Sequence, residues 1–290
     1  LYHKGLLAIR KEEYDTARDA LRQASELQPR NGRIHYEYAQ LLLLQKDLRA
    51  AERELRAAVD CEKDNVRYRR ALASLFIDLR LWDAAEKEYR RLVNLLPDNA
   101  DIYKEMGFVL KKRIHYDEAL EVLAKATRLA PDRIDIMAEL SEVLYLKGKY
   151  DEARRVLLEL TQNEEGRNPR NLMLLGDVLM AQRRWRRAER LFYALAKNSR
   201  KETKTSALYK QGKCLIEQER FRDAETALRR ALGSELRHVP SLNELGLLLK
   251  SQGRRKEARA LLKRSLQVDR YQQDAVRVRE ALQNLEASHR

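Results

Sequence analysis

Residues 100–133 read ADIYKEMGFVLKKRIHYDEALEVLAKATRLAPDR. Apolar side chains recur there at intervals of three and four. Tyr103, Met106, Gly107 and Leu110 make one stripe, and Tyr116, Ala119, Leu120, Leu123 and Ala126 make the next. That period lines each stripe along one face of an α-helix. Pro131 then stops the second helix. The segment predicts two amphipathic helices joined by a short turn.

The rest of the chain repeats this unit. Aromatic-x-x-Ala segments occur at Tyr14–Ala17, Trp82–Ala85, Tyr116–Ala119, Tyr150–Ala153, Trp185–Ala188 and Phe221–Ala224, with variants at Leu48–Ala51 and Arg255–Ala258. The anchor alanines are spaced by 34, 34, 34, 34, 35, 36 and 34 residues. Twelve residues before each anchor stands a small residue: Gly5, Ala39, Ala73, Gly107, Ser141, Gly176, Gly212 and Gly246. Glycine within a helix costs about 1 kcal/mol relative to alanine. Its recurrence at one phase predicts close approach of a neighbouring helix. Pro29, Pro97 and Pro131 lie twelve residues after an anchor, and Gly148 and Gly253 fall in the turn between paired helices. These roles leave no glycines for a phosphate loop.

The period, the small residue, the aromatic-x-x-Ala and the terminal proline resemble the tetratricopeptide repeat (TPR) family over nearly the whole chain. The resemblance implies an all-α fold: a right-handed TPR superhelix, or α-solenoid, of antiparallel helix pairs. Expected units are about 1–31, 32–65, 66–99, 100–133, 134–168, 169–204, 205–238 and 239–270, with a capping helix at about 271–286, all in one solenoid domain. The family's tryptophan near the start of the first helix is missing; His35, Arg69, Tyr103 and Met137 stand in its place. Leu1 falls at the fourth position of its unit, so a fragment of a longer chain is expected.

By the same resemblance, the first helix of each unit lines a concave groove through its second, fifth, sixth, ninth, twelfth and thirteenth positions. Units one to three then offer a basic, tyrosine-bearing zone with Tyr2, Arg33, Tyr36, Arg67 and Arg70. Units four to six offer an acidic zone with Asp101, Lys104, Glu105, Phe108, Asp135, Glu139, Glu142, Tyr145 and Asp177. Units seven and eight offer Tyr209, Lys210, Lys213, Asn243 and Glu244. Aromatic anchors beside charges suit a groove that holds a peptide or helix of a partner protein. Family members that clamp the C-terminal carboxylates of chaperones use an asparagine that none of these units carries at its ninth position, so that activity is not expected.

The formal charge of +14 is uneven. Residues 1–165 hold 30 basic and 31 acidic side chains, whereas residues 166–290 hold 29 and 14. The excess clusters on second helices, at Arg183, Arg184, Arg186, Arg187 and Arg190, then Arg229 and Arg230, then Arg254, Arg255 and Lys256. This predicts a basic surface strip for an acidic partner. RNA binding is disfavoured because stacking aromatics are not interleaved with the arginines.

Five histidines, His3, His35, His115, His238 and His289, lie apart and form no catalytic or metal motif, and Cys61 and Cys214 lack zinc or disulfide spacing. No catalytic residue, metal or cofactor is expected, and no apolar run is long enough to span a membrane. The expectation is a non-catalytic protein–protein interaction scaffold. The alternatives are a targeting arm of a larger enzyme or secretion assembly and, behind it, RNA binding. Oligomeric state and compartment are left open, with the cytoplasm favoured.

Overall fold

A computed structural model describes residues 1–287, so His289 lies outside the described residues. The described residues form seventeen α-helices and no strand. Contacts divide the chain into two units, Leu1–Val143 and Leu144–Arg290.

The first unit holds α1 (Tyr2–Arg10), α2 (Tyr14–Leu27), α3 (Gly32–Leu44), α4 (Leu48–Cys61), α5 (Val66–Asp78), α6 (Trp82–Leu95), α7 (Ala100–Lys112), α8 (Tyr116–Leu129) and most of α9 (Ile134–Leu146). From α1 to α8 each helix packs on the next. One continuous apolar core runs through them, with Leu21, Leu42, Leu55, Phe76, Tyr89, Leu110 and Leu123 almost fully buried.

The second unit holds the end of α9 and then α10 (Tyr150–Leu160), α11 (Pro169–Ala181), α12 (Trp185–Asn198), α13 (Lys201–Ile216), α14 (Phe221–Ser234), α15 (Val239–Ser251), α16 (Arg255–Val268) and α17 (Ala275–Ala287). Successive helices pack from α10 to α17, and the alternate helices α11, α13, α15 and α17 also touch in order. Val278, Ala281, Leu282 and Leu285 of α17 close the apolar core of α15 and α16.

The small residues do what their phase predicts. A Cβ built on Gly5, Gly107, Gly212 or Gly246 would lie 2.6–2.7 Å from a side-chain atom of Leu21, Leu123, Leu228 or Leu262, and one on Gly176 would enter the Phe192 ring. Each partner is sixteen residues downstream on the paired helix. The prolines also act as expected: α2, α6 and α8 end two residues before Pro29, Pro97 and Pro131.

All eight hairpin turns are alike. Glu12, Lys46, Arg80, Ile114, Gly148, Arg183, Glu219 and Gly253 each adopt positive φ, between 56° and 82°. The residue following each donates its N–H to the carbonyl five residues back, at 2.8–2.9 Å, as in Glu13 to Ala8 and Arg184 to Leu179. This is a left-handed C-cap that satisfies helix-end carbonyls. Glycine takes that conformation freely, but six of the eight positions are not glycine. Ile114 is the most strained, because β-branched residues are disfavoured at positive φ.

The missing tryptophan is replaced by polar pairing. Buried His35 places Nδ1 2.7 Å from Glu54 Oε2 and Nε2 3.1 Å from the Pro29 carbonyl. One repeat later Arg69 binds Glu88 and the Lys63 carbonyl in the same way. Both partners of His35 only accept, so the ring satisfies both only as an imidazolium. The hydrogen bond it donates to Glu54, against the opposing effect of burial, holds its pKa above the ordinary 6.5. A raised folded pKa means this stabilisation is complete below pH 6.5 and fades as pH rises through the folded value. Urea midpoints should therefore fall with rising pH in the native chain, and less steeply in His35→Arg, which copies the next repeat. Equal slopes in both proteins would refute this role.

The two insertions that lengthen the anchor spacing, to 35 residues from Ala153 to Ala188 and 36 from Ala188 to Ala224, alter local structure differently. After α10, Gly166 is buried where a Cβ would strike the Leu160 carbonyl, and its own carbonyl accepts from Asn171 Nδ2 at 2.9 Å. The later insertion lengthens α13, which has 16 residues.

Candidate functional site

On the first unit, α3, α5 and α7 present an open cleft of about 720 Å³ floored by Tyr89 and Leu75. Tyr36, from α3, is buried and stacked on Tyr68 with ring centroids 5.0 Å apart. The exposed Arg67 guanidinium lies 4.4 Å from the Tyr36 ring centroid, close enough for a cation–π contact. Arg70 reaches across one repeat and donates to Glu105 Oε1 at 2.6 Å, while Glu105 Oε2 is buried without a partner. Burial and the nearby Glu105 carboxylate push the Tyr89 hydroxyl far above its ordinary pKa. Tyr2 packs under Arg33, 5.7 Å away.

The zone expected to be acidic is not a free acidic patch. Arg133 donates to Asp101 at 2.9 Å and to Asp135 at 2.7 Å, and Lys104 donates to Asp135 at 2.7 Å. Arg133, against the smaller effect of burial and with help from Lys104, holds the Asp135 carboxyl well below the usual range. Lys111 is buried and bridges Glu139 at 2.6 Å and Glu142 at 3.1 Å. Its ammonium also lies 5.2 Å from the half-buried Phe108 ring. The carboxylates of this zone are thus tied to cations from neighbouring first helices and, through Arg133, from the turn that leads into α9. Lys111 stands at the twelfth position of its unit, a signal that could have found it. Arg133 precedes its helix and gives no signal beyond its distance from Asp101.

On the second unit, Asp177 accepts from Lys210 at 2.6 Å. Tyr145 is half-buried with Tyr150 5.9 Å away, and burial with the Asp177 charge raises its pKa. Tyr209 meets His238 edge-on at 5.6 Å, and Lys213 lies 5.8 Å from its ring. Burial, then Glu244 and Asp274, push the Tyr209 hydroxyl up to about 12. Asn243 departs from expectation. It is 2 % exposed, bonded to Gln272 and Ser265 in a polar network that Gln272 completes by donating to Ser265 at 2.8 Å. The segment leading into α17 covers it, so Asn243 is an internal residue of the end repeat and offers nothing to a groove.

The basic strip divides into tied and untied members. Arg229 binds Glu225 and Glu257 at 2.8 and 2.9 Å, and Arg254 binds the same two at 2.7 and 2.8 Å. Arg255 is also engaged. The side chains of Arg183, Arg184, Arg186, Arg187, Arg190, Arg230 and Lys256 have no partner among the described residues, and all but the half-buried Arg184 are exposed. Two residues beside this surface escaped the sequence reading: Tyr193, 51 % exposed, and Gln211, which is buried.

Among the described residues no His, Cys, Asp and Glu side chains gather into a metal site, and no helix is long and apolar enough to cross a membrane. Burial pushes the Cys214 thiol up to about 12, which makes it an inert core group.

Models of the tetratricopeptide repeat match residues 8–75 and 115–173, and a second such model matches residues 209–275. No curated protein matches the chain. Among solved structures, a tetratricopeptide repeat protein from Parabacteroides merdae aligns with a TM-score of 0.60 at 17% identity, over 85% of this chain and 96% of that one. Yeast Tom70 aligns at 0.57 and 16% identity over 96% of this chain, which spans 60% of Tom70. A chain of the APC/C hetero-tetramer Cut9–Hcn1 aligns at 0.60 and 15% identity over 94% of this chain and 52% of that one. Identities this low establish shared architecture. The matched segments take in most of the sequence and consist of the helix pairs built above, and on that ground this chain belongs to the tetratricopeptide repeat family.

Proposed function

We propose that the chain is a non-catalytic protein-binding scaffold that takes a peptide or helix of its partner on the first-helix face. The observation that carries this reading is the open cleft of the first unit, where Arg67 lies on Tyr36 and a carboxylate oxygen of Glu105 is left unpartnered. Arginine and aromatic side chains supply most of the energy at protein interfaces. Phe108, half-exposed and 6.3 Å from Trp82, extends that face along α7. The finer part of the proposal gives the basic second-helix surface of the second unit to an acidic partner.

Partners cross-linked to the native chain in cells and identified by mass spectrometry would supply the ligand. Arg67→Ala combined with Phe108→Ala should weaken its binding at least about tenfold, or 1.4 kcal/mol, while helical content is kept. An unchanged dissociation constant would remove the first-helix face as the binding site.

A further inference from the structure

The second helices of the second unit carry a built cleft that the first-helix reading does not use. Arg186 and Arg190 lie one turn apart on α12, and Arg230 lies on α14; all three are exposed and unpartnered among the described residues. Between these helices run two adjoining depressions of about 530 and 300 Å³, which share Glu189 and Arg220 as lining residues. The acidic side chains here, Glu189 and Asp223, face Arg220 at 4.0 and 2.8 Å. The open charge of the cleft is therefore positive.

Gln211 of α13 lines the smaller depression and is 7 % exposed. Its Nε2 donates to Glu189 Oε1 at 3.2 Å. That bond fixes the amide, since the reverse orientation would set one acceptor against another. Gln211 Oε1 is thereby left buried, with no donor. A buried acceptor without a donor is costly, and a ligand N–H would relieve it. Phosphate oxygens only accept and cannot do so. Peptide backbones carry an N–H at nearly every residue.

We propose that this cleft binds an extended acidic segment of a partner protein, with carboxylates on Arg186, Arg190 and Arg230 and a backbone N–H on Gln211 Oε1. The proposal rests on the reading of the chain as a protein-binding scaffold, but not on the first-helix cleft. Tyr193, at the rim, supplies an exposed ring against which the segment can pack.

The test pans a phage-displayed library of random short peptides on the whole chain. Sequences rich in Asp and Glu should be selected. A synthetic peptide from that set should bind at least about tenfold more weakly to Arg186→Glu/Arg190→Glu, because reversed charges repel it. It should bind roughly three- to tenfold more weakly to Gln211→Met, which removes the acceptor. Should Gln211→Met fail to fold, Arg230→Ala serves as an exposed substitute with the same direction of effect. Arg67→Ala/Phe108→Ala should bind the peptide as the native chain does. Selection of non-acidic peptides, or equal binding to the reversed-charge variant, would overturn the proposal. Loss of binding in Arg67→Ala/Phe108→Ala alone would also overturn it, while leaving the first-helix reading intact. Oligouridine RNA that binds through Arg186 and Arg190 when no acidic peptide does would assign the cleft to nucleic acid instead.

Discussion

Gly176→Ala is expected to lower the stability of the second unit by about 2–3 kcal/mol, the scale of overpacking a dense interior. The added methyl would enter the ring of Phe192, which is fully buried on the paired helix α12. Neither helix can withdraw without breaking contacts to the next repeat. Gly233→Ala is the control with the opposite sign. Gly233 lies in α14, is exposed, and has nothing within 4 Å of an added Cβ. It should gain about 1 kcal/mol from helix propensity. Urea melts of both variants test the pair, with hydrogen exchange to localise the loss, because repeat arrays open in parts. Similar melts for both would mean that the small-residue phase does not report helix approach.

Lys111→Met should cost a comparable amount, about 2–3 kcal/mol. Lys111 is 6 % exposed and bridges two carboxylates whose side chains are 13 % and 30 % exposed. Removing one member of a buried ion pair leaves an uncompensated charge, which costs about 3–5 kcal/mol when burial is complete. Partial exposure of Glu142 brings the figure down. Adding Glu139→Gln to Lys111→Met should recover part of the loss, and a double-mutant cycle measures that coupling. A double variant that recovers nothing would mean that Lys111 acts through packing alone.

Much of this fold is legible in the sequence for a local reason. The anchor alanines, the small residues and the prolines mark events within one helix pair, where separation along the chain fixes separation in space. Gly5, Gly107, Gly176, Gly212 and Gly246 all meet the residue sixteen positions on. The turn conformation was legible only at Gly148 and Gly253. At Glu12, Lys46, Arg80, Ile114, Arg183 and Glu219 the same left-handed geometry is imposed on residues that do not prefer it, because packing of the two flanking helices outweighs local preference.

The functional surfaces divide along the same line. Sequence alone determined the period, the helix pairs, the phase of close contact and the concentration of basic residues after residue 165. Tertiary structure decided which of those charges are available. Asp101, Glu105 and Asp135 read as an acidic face until Arg133, Arg70 and Lys104 arrive from neighbouring segments, about one repeat away in sequence, and neutralise them. Asn243 reads as a groove residue until the segment before α17 covers it. Arg186, Arg190 and Arg230 stay free because no carboxylate stands within ion-pair reach, and Gln211 holds an empty acceptor between them. A repeat period specifies which residues share a phase. Whether two side chains of different repeats meet depends on how far each helix shifts and rotates against the next, and only the packed structure fixes that.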